Sequence, residues 1–499
     1  MLSDASIADP AYHDALRWLY GLSPNVRTAA EIVANRPHKL DRMRALLERV
    51  GRPDRRFACV LVAGTKGKGS IAAYTEAILR AAGLRTGLVT SPHLTSWCER
   101  TRIDGHDIEP GTAARLLPVV RVAVDRLVAE APELGQATTF EAGLAFSLLA
   151  FAERGIDLAV VEVGVGGLHD ATNVLDPLAV ALGSVSYDHT ATLGPTLTAI
   201  ASEKAGIFRR ERLAVSAPQQ DEALQVVAQA AEASGAILER VGEAWHWQPD
   251  DDDACSGAFT IDGPRGTFSG LRSALLGRHQ RENATVAVAL ATGALAAWKR
   301  VHAGREDAAG ARSEGEDAGS DATGGPDATG GRDATGGRDE SRPYETDAAI
   351  HAGLATVRWP GRLQVLRERP WLVVDGAHNG DSAVRLAEAL TDCFPARRRH
   401  LVFGTSVGKD VTRMLDALLP STSTVTLTRS HHERSVPLDR LTEALQTRGA
   451  PTTVVPEVRD AVAQALAAAA PDDLVLVTGS LFVVGEVLEA YGTETRGAS

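Results

Sequence analysis

Short apolar runs alternate with longer amphipathic stretches along most of the chain. Residues Phe57–Ala63 form an apolar run of strand length, and Ile71–Ala82 carry apolar side chains at helical spacing up to Gly83. This alternation predicts a parallel sheet with helices on both faces, in which ligands bind beyond the carboxyl ends of the strands. Further strands are predicted at Arg85–Thr90, Ile156–Val163, Leu178–Ser186 and Leu213–Ala217, and further helices at Gly111–Ala131, Phe140–Arg154, Thr196–Phe208 and Asn283–Lys299.

A second, shorter alternating series follows Trp359–Arg362. Its predicted strands are Trp371–Asp375, His400–Gly404, Thr424–Thr428, Thr452–Val455 and Leu474–Thr478. A chain of 499 residues is too long for one ordinary domain. We therefore predict an α/β protein with a P-loop NTPase-like, parallel-sheet domain over residues 1–300 and a smaller Rossmann-like α/β domain over residues 357–492. A ligand cleft is expected between the two.

The intervening residues 301–356 have a different composition. Residues 301–348 contain 12 acidic residues and 5 arginines, and Asp321–Arg338 repeat a six-residue unit, DATGGP–DATGGR–DATGGR. A β-helix has a hexapeptide period, but these repeats lack the apolar positions that would form its core. Because so few apolar side chains cannot offset the entropy lost on ordering, we predict a disordered, acidic, glycine-rich insertion and linker.

The overall composition is that of a globular protein, with 44% hydrophobic and 23% charged residues. The net charge of -12 arises largely in residues 301–348, so the composition does not indicate binding to nucleic acid or to an anionic membrane. We find no signal-peptide pattern and no apolar run near the ~20 residues that span a bilayer. The four cysteines are far apart, which favours buried thiols in a reducing cytoplasm.

A glycine-rich loop lies between the first strand and the first helix of this series, in FACVLVAGTKGKGS (57–70). Its glycines allow backbone N–H groups to turn toward an anion, while Lys68 and the helix N-terminus add positive charge. The loop is therefore predicted to bind the phosphates of a nucleotide. The residues expected to do so are Thr65, Lys66, Gly67, Lys68, Gly69 and Ser70.

Lysine usage points to the same loop. Among 52 basic residues only six are lysines, namely Lys39, Lys66, Lys68, Lys204, Lys299 and Lys409. Lysine is a compact point charge that arginine does not copy, so lysines kept in glycine-flanked or acid-flanked loops indicate function. Chance retention during codon drift is the simpler alternative.

Polar side chains end three of the predicted strands. Glu162 ends the strand in DLAVVEVG, while Ser91 and His189 lie at or beyond the ends of two others. In phosphate-loop proteins an acid at the end of the neighbouring strand holds Mg²⁺. We predict that Glu162 and His189 are magnesium ligands, with a solvated glutamate and a structural histidine as the alternatives.

Three further motifs have a structural as well as a functional interpretation. Lys204, in SEKAGIF, is either a helix-terminal ion-pair partner or a buried neutral amine that can form a carbamate with carbon dioxide. Thr138 and Glu141, in TTFE, form a capping-box pattern that needs no pocket role. In VVDGAHN, Asp375 ends a strand where an acid often accepts from ribose hydroxyls, and His378 either packs or faces an adenine.

Together, these segments resemble the folylpolyglutamate synthase/dihydrofolate synthase family, a branch of the Mur-ligase-like ATP-dependent amide ligases. The resemblance runs from about Tyr20 to Leu488 and leaves out residues 301–348. It rests on eleven segments in family order: AGTKGKGS (63–70), TSPHL with ER (90–100), TTFE (138–141), EVGVGG with DATN (162–173), DH (188–189), EKAGI (203–207), HQRENA (279–284), PGR (360–362), DGAHN (375–379), GKD (408–410) and TGSLFVVGEV (478–487).

The resemblance implies an enzyme that uses ATP and Mg²⁺ to add L-glutamate to dihydropteroate or a reduced folate through an acyl phosphate. A cytoplasmic monomer is expected. The residues it implies are the catalytic Lys68, Glu162, His189 and carbamoylated Lys204; the magnesium ligands Ser91, Glu162 and His189; the ATP-binding Asn283, Arg362 and Asp375, with His378 near the adenine; and the pterin-pocket residues Thr138, Thr139, Phe140, Glu141, His169, Asp170 and Ala171.

The sequence departs from the family pattern at two places near the expected site. Lys66 stands where asparagine is usual, and Leu168-His169 replaces the common Arg-Leu before Asp170. These departures leave the preference between dihydropteroate and folate open. A Mur-type cell-wall ligase is the alternative within the ligase class. Outside it, the alternatives are a phosphate-loop kinase and a non-catalytic nucleotide-binding protein.

Overall fold

The computed structural model describes Asp4 and residues 7–22, 36–316, 346–396, 398–446 and 448–492. They form the two predicted α/β domains, which are connected through residues 357–363. In the larger domain the strands are β1 Ala58–Ala63, β2 Thr86–Val89, β3 Thr101–Ile103, β4 His106–Asp107, β5 Leu158–Glu162, β6 Ala179–Leu182, β7 Leu213–Ser216, β8 Ile237–Arg240, β9 His246–Pro249, β10 Phe259–Gly263 and β11 Gly266–Leu271.

The main sheet of this domain has the strand order β4-β3-β2-β5-β1-β6-β7-β8. Strands β2 and β5 to β8 run parallel with β1, while β3 and β4 add an antiparallel edge. The central strand β1 pairs with β5 and β6, so their carboxyl ends meet at one edge of the sheet. These three strands are almost wholly apolar and buried, as expected of a parallel sheet covered on both faces.

Helices cover both faces of the main sheet and form two separate cores. One face holds α1 Pro10–Gly21, α2 Arg36–Arg49, α4 Pro110–Glu130, α5 Thr139–Arg154, α7 Leu197–Ala205 and α8 Asp221–Ser234. The other holds α3 Lys68–Ala81, α9 Arg278–Glu316 and α10 Thr346–Thr356. The short α6 is Thr190–Leu193. The loop at 64–70 therefore lies between strand β1 and helix α3, as predicted from the sequence.

A small antiparallel sheet, in the order β11-β10-β9, was not predicted. Its first strand is only four residues long, carries two exposed polar residues, and leads into a run of aspartates at 250–253. Neither feature is a strand signal. Its core comes from Phe259, Ile261 and Phe268, which join the apolar cluster around α3 and α9.

The smaller domain has a six-stranded sheet in the order β12-β13-β17-β14-β15-β16, parallel except for β12. Apolar clusters lie on both of its faces. The five predicted strands are all present, and β12 is an addition. The strands are β12 Gln364–Glu368, β13 Trp371–Val374, β14 Arg399–Phe403, β15 Thr424–Leu427, β16 Thr452–Val454 and β17 Leu474–Thr478, and the helices are α11 Gly380–Cys393, α12 Val411–Leu418, α13 Leu438–Gln446, α14 Val458–Ala468 and α15 Leu481–Tyr491.

The predicted disorder of residues 301–356 is wrong at both ends of that range. Helix α9 continues through residue 316, and α10 belongs to the core of the larger domain, where Ile350 and Leu354 are buried. A Cβ atom on Gly353 would lie 2.6 Å from the Ile78 backbone, so α10 packs directly against α3. The repeat Asp321–Arg338 lies outside the described residues.

One helical stretch in the described part of the chain, Arg278–Ala303, is long and apolar enough to cross a membrane by length and composition. Of its most apolar 18-residue window, 72% is buried inside the protein. Burial of this extent is what the core helix of a folded domain shows, so the stretch is weak support for a membrane span.

The cysteines differ from the prediction. Cys59 and Cys98 are buried thiols, as expected. Cys255 and Cys393 instead form a disulfide, which joins the turn after β9 to the last residue of α11. The sequence spacing of 138 residues offered no sign of this pairing, because only the fold brings the two segments together.

Candidate active site

A cavity of about 1120 Å³ lies at the carboxyl ends of β1, β5 and β6, between the two domains. All the residues predicted from the sequence to bind nucleotide or magnesium, or to act in catalysis, line it. They are Thr65, Lys66, Gly67, Lys68, Gly69, Ser70, Ser91, Glu162, His189, Lys204, Asn283, Arg362, Asp375 and His378.

The phosphate loop is fixed by Gly183 and Ser184, which directly follow the neighbouring strand β6. The backbone N–H groups of Thr65 and Lys66 both donate to the carbonyl oxygen of Ser184, at 2.9 and 3.1 Å. Gly64 has φ +142°, and a Cβ atom there would lie 2.9 Å from Gly183, so the close approach requires glycine. Gly67, at φ +81°, precedes the first residue of α3. The loop therefore presents the N-terminus of α3 to the cavity.

Two lysines converge on one carbonyl group of this loop. Lys68 Nζ and Lys204 Nζ donate to the carbonyl oxygen of Gly64 at 3.1 and 2.8 Å. Burial, assisted by the positive charge of Lys68, lowers the pKa of Lys204 to about 7. A substantial fraction of Lys204 is thus a neutral amine near pH 7, as the carbamate interpretation requires.

Glu162 and Ser91 are in direct contact. The backbone N–H of Ser91 donates to Glu162 Oε2 at 2.9 Å, and burial raises the pKa of the Glu162 carboxyl. His189 has φ +52°, a strained backbone conformation of the kind that collects at functional sites. Burial lowers the pKa of His189 to about 4, so its imidazole is neutral at pH 7 and available as a ligand.

Asp188 connects the two domains. Its carboxylate is 3.4 Å from Lys66 Nζ, 3.5 Å from Lys409 Nζ and accepts from Asn379 Nδ2 at 3.0 Å. Burial by itself would raise the pKa of Asp188, but Lys66 and Lys409 outweigh it and hold that pKa well below its usual range. Burial also lowers the pKa of Lys66 to about 8. The phosphate loop is therefore tied to the smaller domain through one ionised carboxylate.

On the smaller domain, both carboxylate oxygens of Asp375 accept hydrogen bonds from backbone N–H groups. Its Oδ2 accepts from the N–H of Leu363 and its Oδ1 from the N–H of Ala377, each at 2.8 Å. These two hydrogen bonds fix the turn that carries Arg362, so Asp375 has a structural role in addition to its predicted contact with the nucleotide. Burial lowers the pKa of His378 to about 3, so this side chain is neutral in the cavity wall.

The predicted pterin residues separate into two groups. Thr138, Thr139, Phe140 and Asp170 line the cavity. The other three are not among the residues that line it: Ala171 is buried in the core, Glu141 forms a buried ion pair with Arg42, and His169 Nδ1 lies 3.0 Å from Glu203 Oε2. Glu141 also completes the predicted capping box with Thr138.

Comparison with known proteins gives a consistent result. The family description "Mur ligase middle domain" matches residues 62–291, and "Mur ligase, glutamate ligase domain" matches residues 361–481. The folylpolyglutamate synthase of Lacticaseibacillus casei is 30% identical over 449 residues, which cover 89% of this chain and 92% of that protein. The dihydrofolate synthase/folylpolyglutamate synthase of Mycobacterium tuberculosis is 30% identical over 483 residues, covering 92% and 91%.

The chain belongs to the folylpolyglutamate synthase/dihydrofolate synthase family.

Solved structures of this family extend the likeness to the fold. The M. tuberculosis folylpolyglutamate synthase complexed with ADP has a TM-score of 0.79 at 27% identity and covers 97% of this chain and 99% of that one. E. coli FolC in complex with DHPP and ADP has a TM-score of 0.76 at 27% identity, covering 98% and 99%. The chain spans about half the length of a Haloferax volcanii relative, 34% identical over 95% of this chain, which is named as a probable bifunctional folylpolyglutamate synthase/dihydropteroate synthase.

Several cavity residues were not predicted as site residues in this family member. Asp188 belongs to the motif DH and Lys409 to the motif GKD, and Lys39 is one of the six lysines. None of the three was assigned a function from the sequence. Five of the six lysines line the cavity or contact Asp188 at its wall, so lysine scarcity was a usable signal. The other unpredicted polar residues in the wall are Arg42, Arg100, Thr192, His279, Gln280, Ser382, Arg385 and Arg434.

Proposed function

We propose that this protein is an ATP-dependent ligase that adds L-glutamate to dihydropteroate, to a (tetrahydro)folyl-glutamate, or to both, releasing ADP and phosphate. One observation carries this proposal: the phosphate loop and four of the predicted pterin residues line a single cavity. Lys68 and Lys204 lie in its phosphate-binding part, and Thr138, Phe140 and Asp170 lie in its predicted pterin-binding part. A triphosphate and an aromatic acid can therefore meet in it. The names of the relatives agree with this function.

The residues present support carboxylate activation by phosphoryl transfer. A substrate carboxylate attacks the γ-phosphorus of ATP, and the bond to the β,γ-bridging oxygen breaks to give ADP and an acyl phosphate. Lys68 and Arg362 neutralise charge on the phosphoryl oxygens. The amine of L-glutamate then attacks the acyl carbon, phosphate leaves and an amide forms. Closure of the domains, through contacts such as Asp188–Lys409, would keep water from the acyl phosphate.

The cavity also fits a bound Mg²⁺ ion. Glu162 is a buried carboxylate whose Oε2 accepts only from the Ser91 backbone in the described contacts, and His189 is neutral. Among the described residues there is no cluster of three or more His, Cys, Asp or Glu side chains. Mg²⁺ characteristically uses one or two carboxylates and completes its shell with water and phosphate oxygens. Ser91, Glu162 and His189 would hold it, and when bound it would neutralise phosphate charge.

Lys204 is proposed to be carbamoylated. Lys204 is 4% exposed as a residue, and its amine has a pKa lowered to about 7 and donates a hydrogen bond to the phosphate loop. Addition of the neutral amine to the carbon atom of carbon dioxide forms an N–C bond and releases one proton, which converts the buried neutral amine into a carbamate anion. Asn283 and His378, on opposite domains of the cavity, are proposed to bind the nucleotide together with Arg362 and Asp375.

The remaining proposals concern context. A cytoplasmic monomer acting on small molecules, without nucleic acid or membrane, agrees with the composition. The proposed acceptor is dihydropteroate, a reduced folate, or both; Lys66 borders the nucleotide part of the cavity, and His169 contacts Glu203.

ADP release measured with each substrate omitted in turn tests this function. The expected result is turnover that needs ATP, L-glutamate and either dihydropteroate or a reduced folate monoglutamate. A phosphate-loop kinase would release ADP without any amino acid. A Mur-type cell-wall ligase would be inactive with both pterin substrates, and a non-catalytic nucleotide-binding protein would bind ADP without turnover. Any of these three results would overturn the proposal.

A further inference from the structure

The two domains are covalently connected at two places. One is the peptide linker at residues 357–363, and the other is the Cys255–Cys393 disulfide. The Cα atoms of the two cysteines are 4.8 Å apart, well within the range for disulfide-bonded pairs. Cys255 belongs to the larger domain and Cys393 to the smaller one, so the bond is a crosslink across the domain boundary.

On the larger domain, the turn that carries Cys255 is attached to the cavity wall. The carbonyl oxygen of Cys255 accepts from the N–H of Gly277, directly before α9. Arg281, in the first turn of α9, donates to the carbonyl oxygens of Asp253 and Gly257 on either side of Cys255. Since Gln280 and Asn283 of the same helix turn line the cavity, a displacement of Cys255 is coupled to the nucleotide part of the site.

On the smaller domain, Cys393 ends a helix whose other end is in the cavity. Helix α11 begins after its N-cap Asn379, which donates to Asp188 of the larger domain, and it presents Ser382 and Arg385 to the cavity. Fourteen helical residues form a rigid rod of about 21 Å. The disulfide thus fixes the far end of the rod that forms one wall of the cleft.

The two bonded cysteines are also the chemically accessible ones. Both are half-buried, whereas Cys59 and Cys98 are buried. Burial raises the pKa of Cys59 to about 12 and also raises that of Cys98, so these thiols stay protonated and unreactive. An external thiol attacks a disulfide sulfur, so among the described cysteines it can exchange only with the Cys255–Cys393 bond, and the protonated thiols of Cys59 and Cys98 do not compete as nucleophiles.

We propose that Cys255–Cys393 is a thiol–disulfide exchange site whose oxidation state controls how far the two domains separate, and with it the rate at which nucleotide leaves the cleft. The partner is a dithiol. One of its thiolates attacks a sulfur of the bond, which releases the other cysteine as a thiolate and forms a mixed disulfide. The second thiol of the partner resolves the mixed disulfide, so the enzyme gains two electrons and two protons and the dithiol becomes a disulfide.

The physical basis is that the disulfide restricts the rotation of one domain relative to the other. A body attached at one linker can rotate about many axes, but two attachments restrict rotation to the line through them. After reduction, the contacts of Asp188 with Lys409 and Asn379 still join the domains, yet they are non-covalent and can break and re-form. Because opening of a cleft often limits product release, the reduced enzyme should exchange nucleotide faster.

The test is the dissociation rate of a fluorescent ADP analogue from the full-length protein, oxidised or treated with dithiothreitol, without any other substrate. We expect release from the oxidised form to be slower by at least about threefold. The variants Cys255→Ser, Cys393→Ser and the double variant should release at the fast rate under both conditions. Reagent counting should find two more reactive thiols in the native protein after reduction.

Equal rates for oxidised and reduced wild type would overturn the inference, and this comparison needs no variant to fold. A redox response that persists in both serine variants would overturn it as well, as would peptide mapping of the oxidised protein without a Cys255–Cys393 link. The readout uses nucleotide alone, so its failure is distinct from a failure of the proposed ligase activity.

Discussion

Lys68 and Lys204 donate to the same atom, the carbonyl oxygen of Gly64, although they come from the first turn of α3 and the last turn of α7. Burial, followed by the nearby positive charge of Lys68, lowers the pKa of Lys204 to about 7. An anion that enters the loop can contact the Lys68 side chain, while the neutral amine of Lys204 can react with carbon dioxide. The two lysines therefore have different predicted roles despite a shared partner.

Replacing Lys68 by alanine should lower kcat for glutamate-dependent ADP release by about 10²–10³-fold, because a preorganised charge on the transferring phosphoryl group is lost. The measurement is a coupled ADP assay at saturating ATP. Lys299→Ala is the matched control, since Lys299 is exposed on α9 and does not line the cavity. Wild-type turnover in the Lys68 variant would contradict the assignment.

The carbamate on Lys204 should be visible as an added carbonyl signal in ¹³C NMR of protein equilibrated with ¹³C-bicarbonate. The pKa of Lys204 is lowered to about 7, so the reactive neutral amine predominates above that pH and is lost as the pH falls below it. The signal should accordingly grow between pH 6 and pH 8 and be missing from Lys204→Ala. A signal of equal size in that variant would show that another amine is modified.

Removal of divalent cations should stop ADP release, and added Mg²⁺ should restore it. In Glu162→Gln the Mg²⁺ concentration for half-maximal activity should rise by about tenfold or more, because the amide removes the buried negative charge that the cation would neutralise. Glu153→Gln serves as the control, since Glu153 is exposed and pairs with Arg115 away from the cavity. Full activity after chelation would exclude the magnesium role.

Most of the strands of the two parallel sheets and the nucleotide part of the site could be predicted, because each depends on a sequence pattern within a short contiguous segment. The strand, glycine loop and helix around Lys68 are contiguous, and Glu162 and Ser91 sit at strand ends that a parallel sheet must bring to one edge. Prediction failed where a side chain's partner is distant in sequence. Asp188 contacts Lys409 across 221 residues, and Cys255 meets Cys393 because the segment before α9 lies against α11, where a Cβ atom on Gly277 would be 3.4 Å from Ala389.

A second kind of failure concerns side chains that share a motif but face opposite ways. His169 and Asp170 are adjacent, yet Asp170 lines the cavity, where its Oδ2 accepts from Lys39, while His169 turns toward Glu203. The motif DATN predicts a turn near the ligand. It does not determine which residue of the turn points inward, because that depends on the packing of α2 and α7 around it.

The contacts of Glu141 predict that its replacement changes the stability of the larger domain. Glu141 is fully buried and receives two parallel hydrogen bonds from Arg42, with Nε at 3.0 Å from Oε2 and Nη2 at 2.9 Å from Oε1. Its Oε2 also caps α5 through the N–H of Thr138. Replacing the carboxylate by an amide leaves the guanidinium as an uncompensated buried charge, which typically costs about 3–5 kcal/mol.

Glu141→Gln should therefore lower the free energy of unfolding of the larger domain by about 3–5 kcal/mol in urea titrations followed by circular dichroism. The exposed pair Arg115–Glu153 provides the comparison, because loss of a surface ion pair changes stability by only about 0–1 kcal/mol. Because Arg42 also lines the cavity, a rise in the KM for the pterin substrate is expected only together with this loss of stability. A raised KM with unchanged stability would instead place Glu141 in contact with the substrate.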